Sequence, residues 1–414
     1  MTERLRLRNV GYLPCTGAER GPLKAWAELG WQPGVDLVVQ RAGDGWRLVW
    51  VGPSGATGPG DDGSLDLGGR LVLPGLVDAH THAVFAGDRS GEFVQRMAGR
   101  SYHDIAAAGG GIRATVRATR QASVDELVLQ SARRLDEMAA WGVRTVEIKT
   151  GYGLDLTTEL RLLEAIAELR VRCQGRLRLV ATAMPAHAVP PEWQGNADGW
   201  VDEVCQHVLP AMASAAEPPT FVDVFVEQGY FSVAQAARVA AVARQLGLRL
   251  KAHVDEFAEL GGLAWAVQAG AVSVEHLLQT GPAGVAALAA SDTVAVCLPL
   301  TSVFLREPFA PMRALVDAGA LVAVATDCNP GSAMTTNLPL AMQMAVLGGR
   351  LTPQEALRAV TRTAALALGE VGGVNGRLQV GAPFEATLME VAAPDELFYQ
   401  LGSPPRARPE LLPR

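Results

Sequence analysis

From Leu71 onward the chain alternates, eight times over, between a short apolar run and a stretch that in many cases is long enough for a helix. The runs are residues 71–77, 144–148, 177–183, 221–226, 248–252, 271–274, 293–298 and 321–325, and helix-patterned segments such as 124–140, 158–171, 233–246 and 284–289 lie between them. Parallel strands need a crossover of about a dozen residues or more, usually a helix. Residues 71–77 and 323–325 are nearly unbroken apolar stretches, as expected of strands covered on both faces. Eightfold repetition predicts a closed (β/α)8 TIM barrel over residues 71–371. A doubly wound open sheet has the same local pattern and is the alternative.

The flanks read differently. Residues 35–39 and 47–51 are short β-like runs, followed by a loop rich in Gly, Pro and Ser at 52–63. After residue 372, runs at 377–380 and 386–389 return to that pattern. The expectation is a small β-sandwich-like domain built from both chain ends, residues 1–70 and 372–414.

A chain of 414 residues, 49% of them hydrophobic, has material for a large core. Its formal net charge of −7 argues against nucleic acid or an anionic membrane as the main partner. The five cysteines, Cys15, Cys173, Cys205, Cys297 and Cys328, form no C-x-x-C pair, which fits reduced thiols. Neither a signal-peptide pattern nor a membrane-length apolar run is evident, so the chain reads as cytoplasmic.

Of the seven histidines, His80, His82, His187, His253 and His276 fall at or just past the ends of candidate strands; His103 and His207 lie in connecting segments. Catalytic groups of such barrels collect at that end. In His80-Thr81-His82 the two imidazoles are two residues apart, so on a strand they point the same way and can share a cation. A pair of satisfied polar histidines is the bland alternative. Following the buried Leu73-Pro74-Gly75-Leu76-Val77-Asp78-Ala79, the metal reading is preferred.

His253 closes the fifth run and offers a third imidazole. Glu256, three residues on, has the chemistry to take a proton from water; the alternative for Glu256, and the preferred reading of Asp255, is an acid at a helix N-terminus. His276 suits either a metal ligand or a group polarising a carbonyl, and spacing does not choose. Asp327, after the eighth run, offers a hard oxygen and accepts a hydrogen bond from an activated water. Asn329-Pro330-Gly331-Ser332 forms a polar turn able to hold an anion or amide. Cys328 reads as a small buried filler.

Three imidazoles and a carboxylate suit Zn2+ or Fe2+ over Mg2+ or Ca2+. Such an ion lowers the pKa of water from ~15.7 towards ~7. A carboxylated lysine bridging two metals would be expected after the fourth run. Residues 221–227 hold no lysine, and Lys149 ends the second run instead, which favours one metal.

With these residues in place, the chain resembles the amidohydrolase superfamily and, more narrowly, the imidazolonepropionases of histidine degradation. The resemblance runs from about Leu73 to about Gly381. It is carried by Pro74-Gly75-Leu76-Val77-Asp78-Ala79-His80-Thr81-His82, by Gly109-Gly110-Gly111-Ile112 with Thr119-Arg120, and by Glu147-Ile148-Lys149-Thr150-Gly151-Tyr152-Gly153. Ala186-His187-Ala188-Val189-Pro190-Pro191-Glu192 and Thr326-Asp327-Cys328-Asn329-Pro330-Gly331-Ser332 complete it. The resemblance implies that His80, His82, His253 and Asp327 hold one divalent metal. It implies that Arg89, Tyr152 and His187 hold 4-imidazolone-5-propanoate, with Glu256 and Ser332 helping. Tyr152, Asn329 and Gly331 would hold the product, N-formimidoyl-L-glutamate. A homodimer is also implied. The chemistry agrees: a propanoate tail wants a guanidinium fork, from Arg89 or, secondarily, Arg113, and a planar ring suits a tyrosine face and an imidazole. Departures from the family pattern are Cys328, where a phenylalanine is usual, Asp88 before Arg89, and Ala386-Thr387-Leu388-Met389 near the C-terminus.

The expected mechanism has the activated water lose its proton to Glu256 and attack the ring carbonyl, with His276 stabilising the oxyanion and Glu256 returning the proton to the leaving nitrogen. A deaminase acting on a nucleobase or another cyclic amidine has the same metal pattern and is the alternative enzyme. A metal- or ligand-binding protein without turnover is the alternative outside enzymes. Loss of imidazolone absorbance is the expected outcome, whereas ammonia released from nucleobases identifies the deaminase and absence of any turnover identifies the binder.

Overall fold

Eight parallel strands stand in chain order around one sheet. The structure, a computed structural model, describes residues 3–14, 21, 23, 30–43, 45–100, 109–403, 405–408 and 411–413; His103 and Cys15 lie outside the described residues. The barrel strands are β1 (Leu76–Asp78), β2 (Val143–Lys149), β3 (Arg178–Ala186), β4 (Phe221–Val226), β5 (Arg249–Val254), β6 (Ser273–His276), β7 (Val294–Cys297) and β8 (Val322–Val324). Each pairs in parallel with the next from β1 to β8. A doubly wound sheet would reverse its strand order at a switch point, and this sheet does not.

No ladder joins β8 to β1 among the described residues; the seam is closed just beyond their ends. Thr81 bridges Cys328 in parallel. The Asp327 N–H donates to the His80 carbonyl at 3.0 Å, and the His82 N–H to the Cys328 carbonyl at 3.0 Å. Below them, buried Asp78 accepts the Thr326 N–H at 3.0 Å and its hydroxyl at 2.7 Å.

Helices named here are α1 (Ser90–Met97), α2 (Ile112–Gln121), α3 (Val124–Ala140), α4 (Leu156–Arg172) and α5 (Val233–Gln245). Reciprocal capping boxes at Ser123 with Glu126 and at Ser232 with Gln235 start α3 and α5, and Asp155 caps α4. The apolar faces of α3 and α4 pack with the barrel strands in one continuous core.

The expected first strand, 71–77, divides at Gly75. Leu71–Pro74 pairs antiparallel with Ala386–Met389, and only Leu76–Asp78 enters the barrel. A Cβ at Gly75 would lie 2.7 Å from Cβ and Cγ of Arg144, so the chain passes here only as glycine. The second sheet runs Ala386–Met389, Leu71–Pro74, Arg4–Pro14, Trp31–Ala42, Gly45–Pro53, with Gly63–Asp66 also on Arg4–Pro14. Its own apolar cluster includes Leu7, Leu37, Leu48, Val72 and Leu388. Residues 377–380, expected as a strand, form none. Glycines with positive φ, Gly376 and Gly381, flank the stretch, and Gly381 and Ala382 bond to Leu48 instead.

Among the described residues no helix is long and apolar enough to cross a membrane. Cys173, Cys205, Cys297 and Cys328 are free thiols.

Replacing Asp78 with Ala leaves the buried Thr326 N–H and hydroxyl without their acceptor and is expected to cost about 2–4 kcal/mol. Asp78→Asn retains one acceptor and costs less. Urea unfolding of the two variants measures the difference.

Candidate metal and active site

The strand ends bring the separated histidines to one place. His80 and His82 extend β1, His253 lies near the end of β5, His276 ends β6, and Asp327 follows β8. All five are buried. One ligand atom each from His80, His82 and His253 lies within 4.8 Å of the others, and the same holds for His80, His276 and Asp327.

The ring orientations have visible causes. His80 Nδ1 meets Glu275 Oε2 at 2.5 Å, and His253 Nδ1 meets Asp223 Oδ1 at 3.0 Å. The opposite nitrogens, Nε2 of both rings, have no hydrogen-bond partner among the described residues, nor do His82 Nδ1 and His276 Nδ1. Buried polar atoms are almost always satisfied, so the orphaned Nε2 atoms of His80 and His253, on rings grouped with His82, need an acceptor of their lone pairs. Burial, with neighbouring positive groups second, pushes His80, His82 and His276 well below the usual histidine range. Neutral imidazoles are the form a metal takes. Asp327 Oδ1 lies 3.3 Å from His80 Nε2, and Oδ2 accepts the Thr301 hydroxyl at 2.7 Å. Burial pushes Asp327 up to about 6, a penalty that a cation beside it reverses. The donor set and its orphaned atoms fit a divalent metal.

Beneath this cluster lies a buried layer of charge. Lys149 Nζ contacts Asp223 at 2.7 Å and Glu147 at 3.1 Å, and Lys251 Nζ contacts Glu147 at 2.9 Å. Burial alone would lower the Lys149 pKa, but Asp223, Glu147 and Glu275 outweigh it and the net shift is upward.

Glu256 Oε2 stands 3.6 Å from His276 Nε2. Burial first, then the Asp327 and Glu227 carboxylates, push Glu256 well above the usual carboxylate range. The alternative of helix N-terminal acids fails for Glu256 and for Asp255, since the next helix begins only at Gly262. Asp255 instead accepts the Thr280 hydroxyl at 2.8 Å. Glu227 Oε2 accepts the N–H groups of Phe257 (2.8 Å) and Ala258 (3.2 Å), setting the turn that carries Glu256. Asp255, His276, Leu277 and Asp327 have φ of 54°, 76°, 67° and 55°. Side chains rarely adopt this region, and strain of ~1–3 kcal/mol at each such residue persists where surrounding structure over-determines it.

Tyr152 and His187 gather beside His82, with ring centroids 5.7 and 4.9 Å away. His187 Nδ1 meets the Gly151 carbonyl at 3.1 Å. Asn329 Nδ2 donates to the Asp327 carbonyl at 2.7 Å, and Asn329 Oδ1 accepts the N–H of Gly331 (2.7 Å) and Ser332 (2.8 Å). Arg89, the N-cap of α1, reaches this turn: a Cβ on Gly331 would overlap its Nη1. Arg113 is engaged elsewhere, donating to Gln194 at 3.0 Å. Cys328 is buried and its thiol is pushed up to about 12 by burial, in keeping with a filler.

Sequence reading missed Asp223 and Glu275, which orient His253 and His80, and four residues besides. Thr301 steadies Asp327 and Glu227 steadies the Glu256 turn, as above. Glu92 bonds to Arg89. Glu159, buried in α4, accepts the N–H groups of Gly151, Gly153 and Leu154 and so holds the Tyr152 loop. Its only sequence signal was an acid in the first turn of a helix, which usually means a favourable helix dipole and nothing more.

Residues 71–404 match the model of the amidohydrolase family. An imidazolonepropionase of Chloroflexus aggregans is 50% identical over 372 residues, 85% of this chain and 86% of the other. One of Herpetosiphon aurantiacus is 46% identical over 353 residues, 84% and 82% of the two chains. Among solved structures, 5-methylcytosine deaminase from Klebsiella pneumoniae aligns with a TM-score of 0.69 at 16% identity, covering 97% of this chain and 95% of that one. Atrazine chlorohydrolase from Arthrobacter aurescens TC1, complexed with zinc, aligns with a TM-score of 0.68 at 18% identity over 97% and 92%. At such identities these two speak for the fold alone.

Asp223→Asn and Glu275→Gln remove the carboxylates that orient His253 and His80. Each is expected to weaken metal binding about 10–100-fold. Competition of the purified variants against a chromophoric chelator reads the change.

Proposed function

We infer the reaction from family membership: the chain belongs to the amidohydrolase family and, within it, to the imidazolonepropionases. It is a hydrolase of histidine degradation that opens the cyclic amide of 4-imidazolone-5-propanoate to give N-formimidoyl-L-glutamate. The observation that carries this reading to the residues is the meeting of His80, His82, His253 and Asp327 around orphaned imidazole nitrogens, with Glu256 beside His276.

His80, His82, His253 and Asp327 would hold a divalent metal ion, which would supply an acidified water and Lewis-acid charge for the amide carbonyl. Three imidazoles and a carboxylate favour Zn2+ or Fe2+ for that ion. Arg89 grips the propanoate tail, a role that a guanidinium fork performs with two parallel hydrogen bonds. Tyr152 and His187 flank the ring, and Ser332 assists beside Asn329.

Glu256 takes the proton as water adds to the ring carbonyl carbon; its raised pKa makes it a strong base for a carboxylate. Asp327 accepts a hydrogen bond from the attacking water. His276 donates a hydrogen bond to the carbonyl oxygen as negative charge develops there. The ring C–N bond then breaks, the electron pair goes to nitrogen, and Glu256 returns its proton to that nitrogen. The carbonyl carbon becomes a carboxylic acid, which gives its remaining proton to solvent, and Tyr152, Asn329 and Gly331 hold the opened product. A homodimer in the cytoplasm belongs to the same reading, and sedimentation tests the assembly.

Freshly made 4-imidazolone-5-propanoate is expected to lose its absorbance with the protein, and chelation to stop that loss. Glu256→Gln keeps its metal content while kcat falls ~10²–10⁴-fold. Near-normal turnover by this variant removes Glu256 from the proton path, and ammonia release from nucleobases without imidazolone loss overturns the substrate.

A further inference from the structure

Helix α1 contains no fully buried residue, so apolar packing does little to hold it to the barrel. Polar ties do most of it. Glu92 Oε2 accepts a hydrogen bond from Arg89 Nε at 2.9 Å, and Glu92 Oε1 accepts one from the Gly111 N–H at 3.0 Å. Arg96 Nη2 donates to the Gly331 carbonyl at 3.1 Å. The Phe93 and Phe304 rings lie 5.1 Å apart. One carboxylate thus joins the arginine to the glycine-rich loop that opens α2.

We propose that Glu92 is a positioning residue for substrate recognition, holding the Arg89 guanidinium by its Nε so that its terminal nitrogens meet the carboxylate of the substrate's side chain. This rests on the reading of Arg89 given above. A guanidinium is a rigid planar fork, so fixing Nε fixes the direction of Nη1 and Nη2. Glu92 and Arg89 side chains are only 16% and 8% exposed, which limits solvent competition for the contact. Gly331 completes the arrangement, because any side chain there would occupy the place of Nη1. Two opposing effects act on a bound anion. The negative charge of Glu92 repels the substrate carboxylate, while its hydrogen bonds confine an arginine that otherwise samples many rotamers. Confinement outweighs repulsion in this proposal, because Glu92 is already neutralised by the guanidinium it holds.

The test compares Glu92→Ala and Glu92→Gln with the parent enzyme, on 4-imidazolone-5-propanoate and on its neutral methyl ester, alone and with Arg89→Met. Unfolding by circular dichroism checks that the variants fold. For the acid, Glu92→Ala is expected to raise KM ~10-fold with a smaller change in kcat, a loss of substrate binding. Glu92→Gln, which keeps one acceptor, recovers most of that loss. Neither variant changes KM for the ester, and Glu92→Ala adds nothing once Arg89 is methionine. A KM for the acid that falls or stays level in Glu92→Ala overturns the proposal. So does an equal rise for acid and ester, or a full further rise in the Arg89→Met background. If Arg89→Met itself leaves KM for the acid unchanged, the reading of Arg89 falls, and the role of Glu92 falls with it.

Discussion

The seam between the last barrel strand and the first is the constraint on which the site depends. Elsewhere the barrel is held by parallel ladders, but here closure passes through Asp78, His80, Thr81 and His82 on one side and Thr326, Asp327 and Cys328 on the other. Two of the imidazoles and the carboxylate proposed to hold a metal therefore sit on backbone that also closes the fold. The backbone bonds from Asp327 to His80 and from His82 to Cys328 fix their relative positions before any ion arrives. Such preorganisation spares a metal the entropy of gathering its ligands.

Below the seam, the barrel interior departs from an all-apolar packing. Glu147, Asp223 and Glu275 face Lys149 and Lys251, all fully buried. Burying charge costs far more than an apolar side chain would, and pairing only partly recovers it. The layer has a use that offsets the cost. Asp223 and Glu275 each spend one oxygen on a lysine and the other on a histidine, turning His253 and His80 so that Nε2 points inward. With three carboxylates against two ammonium groups, the layer carries a formal charge of −1 beneath the site, which favours a cation above it.

The mouth of the barrel is assembled from turns that would be unstable in isolation. Left-handed backbone at Asp255, His276, Leu277 and Asp327 is sustained by buried acceptors and strand ends around it. Glu227 and Glu159 act in the same way on neighbouring turns, each carboxylate collecting backbone N–H groups that no ladder reaches. Unsatisfied donors at loops are the usual penalty for irregular backbone, and these two residues remove it.

The barrel was legible in the sequence because each parallel strand, covered on both faces, must be written as a short apolar run, and each crossover as an amphipathic segment. The limits of 124–140 match α3, and the fourth run matches β4. The period-two pattern Arg4-Leu5-Arg6-Leu7-Arg8 signalled a strand that went unread. Pro74-Gly75 marked a break in residues 71–77, but that the two halves join different sheets was not legible, and contact with Arg144 and Glu385 shows it. The sequence by itself determined which side chains stand at strand ends, because that follows from local periodicity. The tertiary structure alone decided which of them face one another, which nitrogen of each histidine is left open, and which acids serve only to hold a turn. The histidine orientations and the seam depend on partners 30 to 248 residues away in the chain, and no local pattern encodes contacts at that separation.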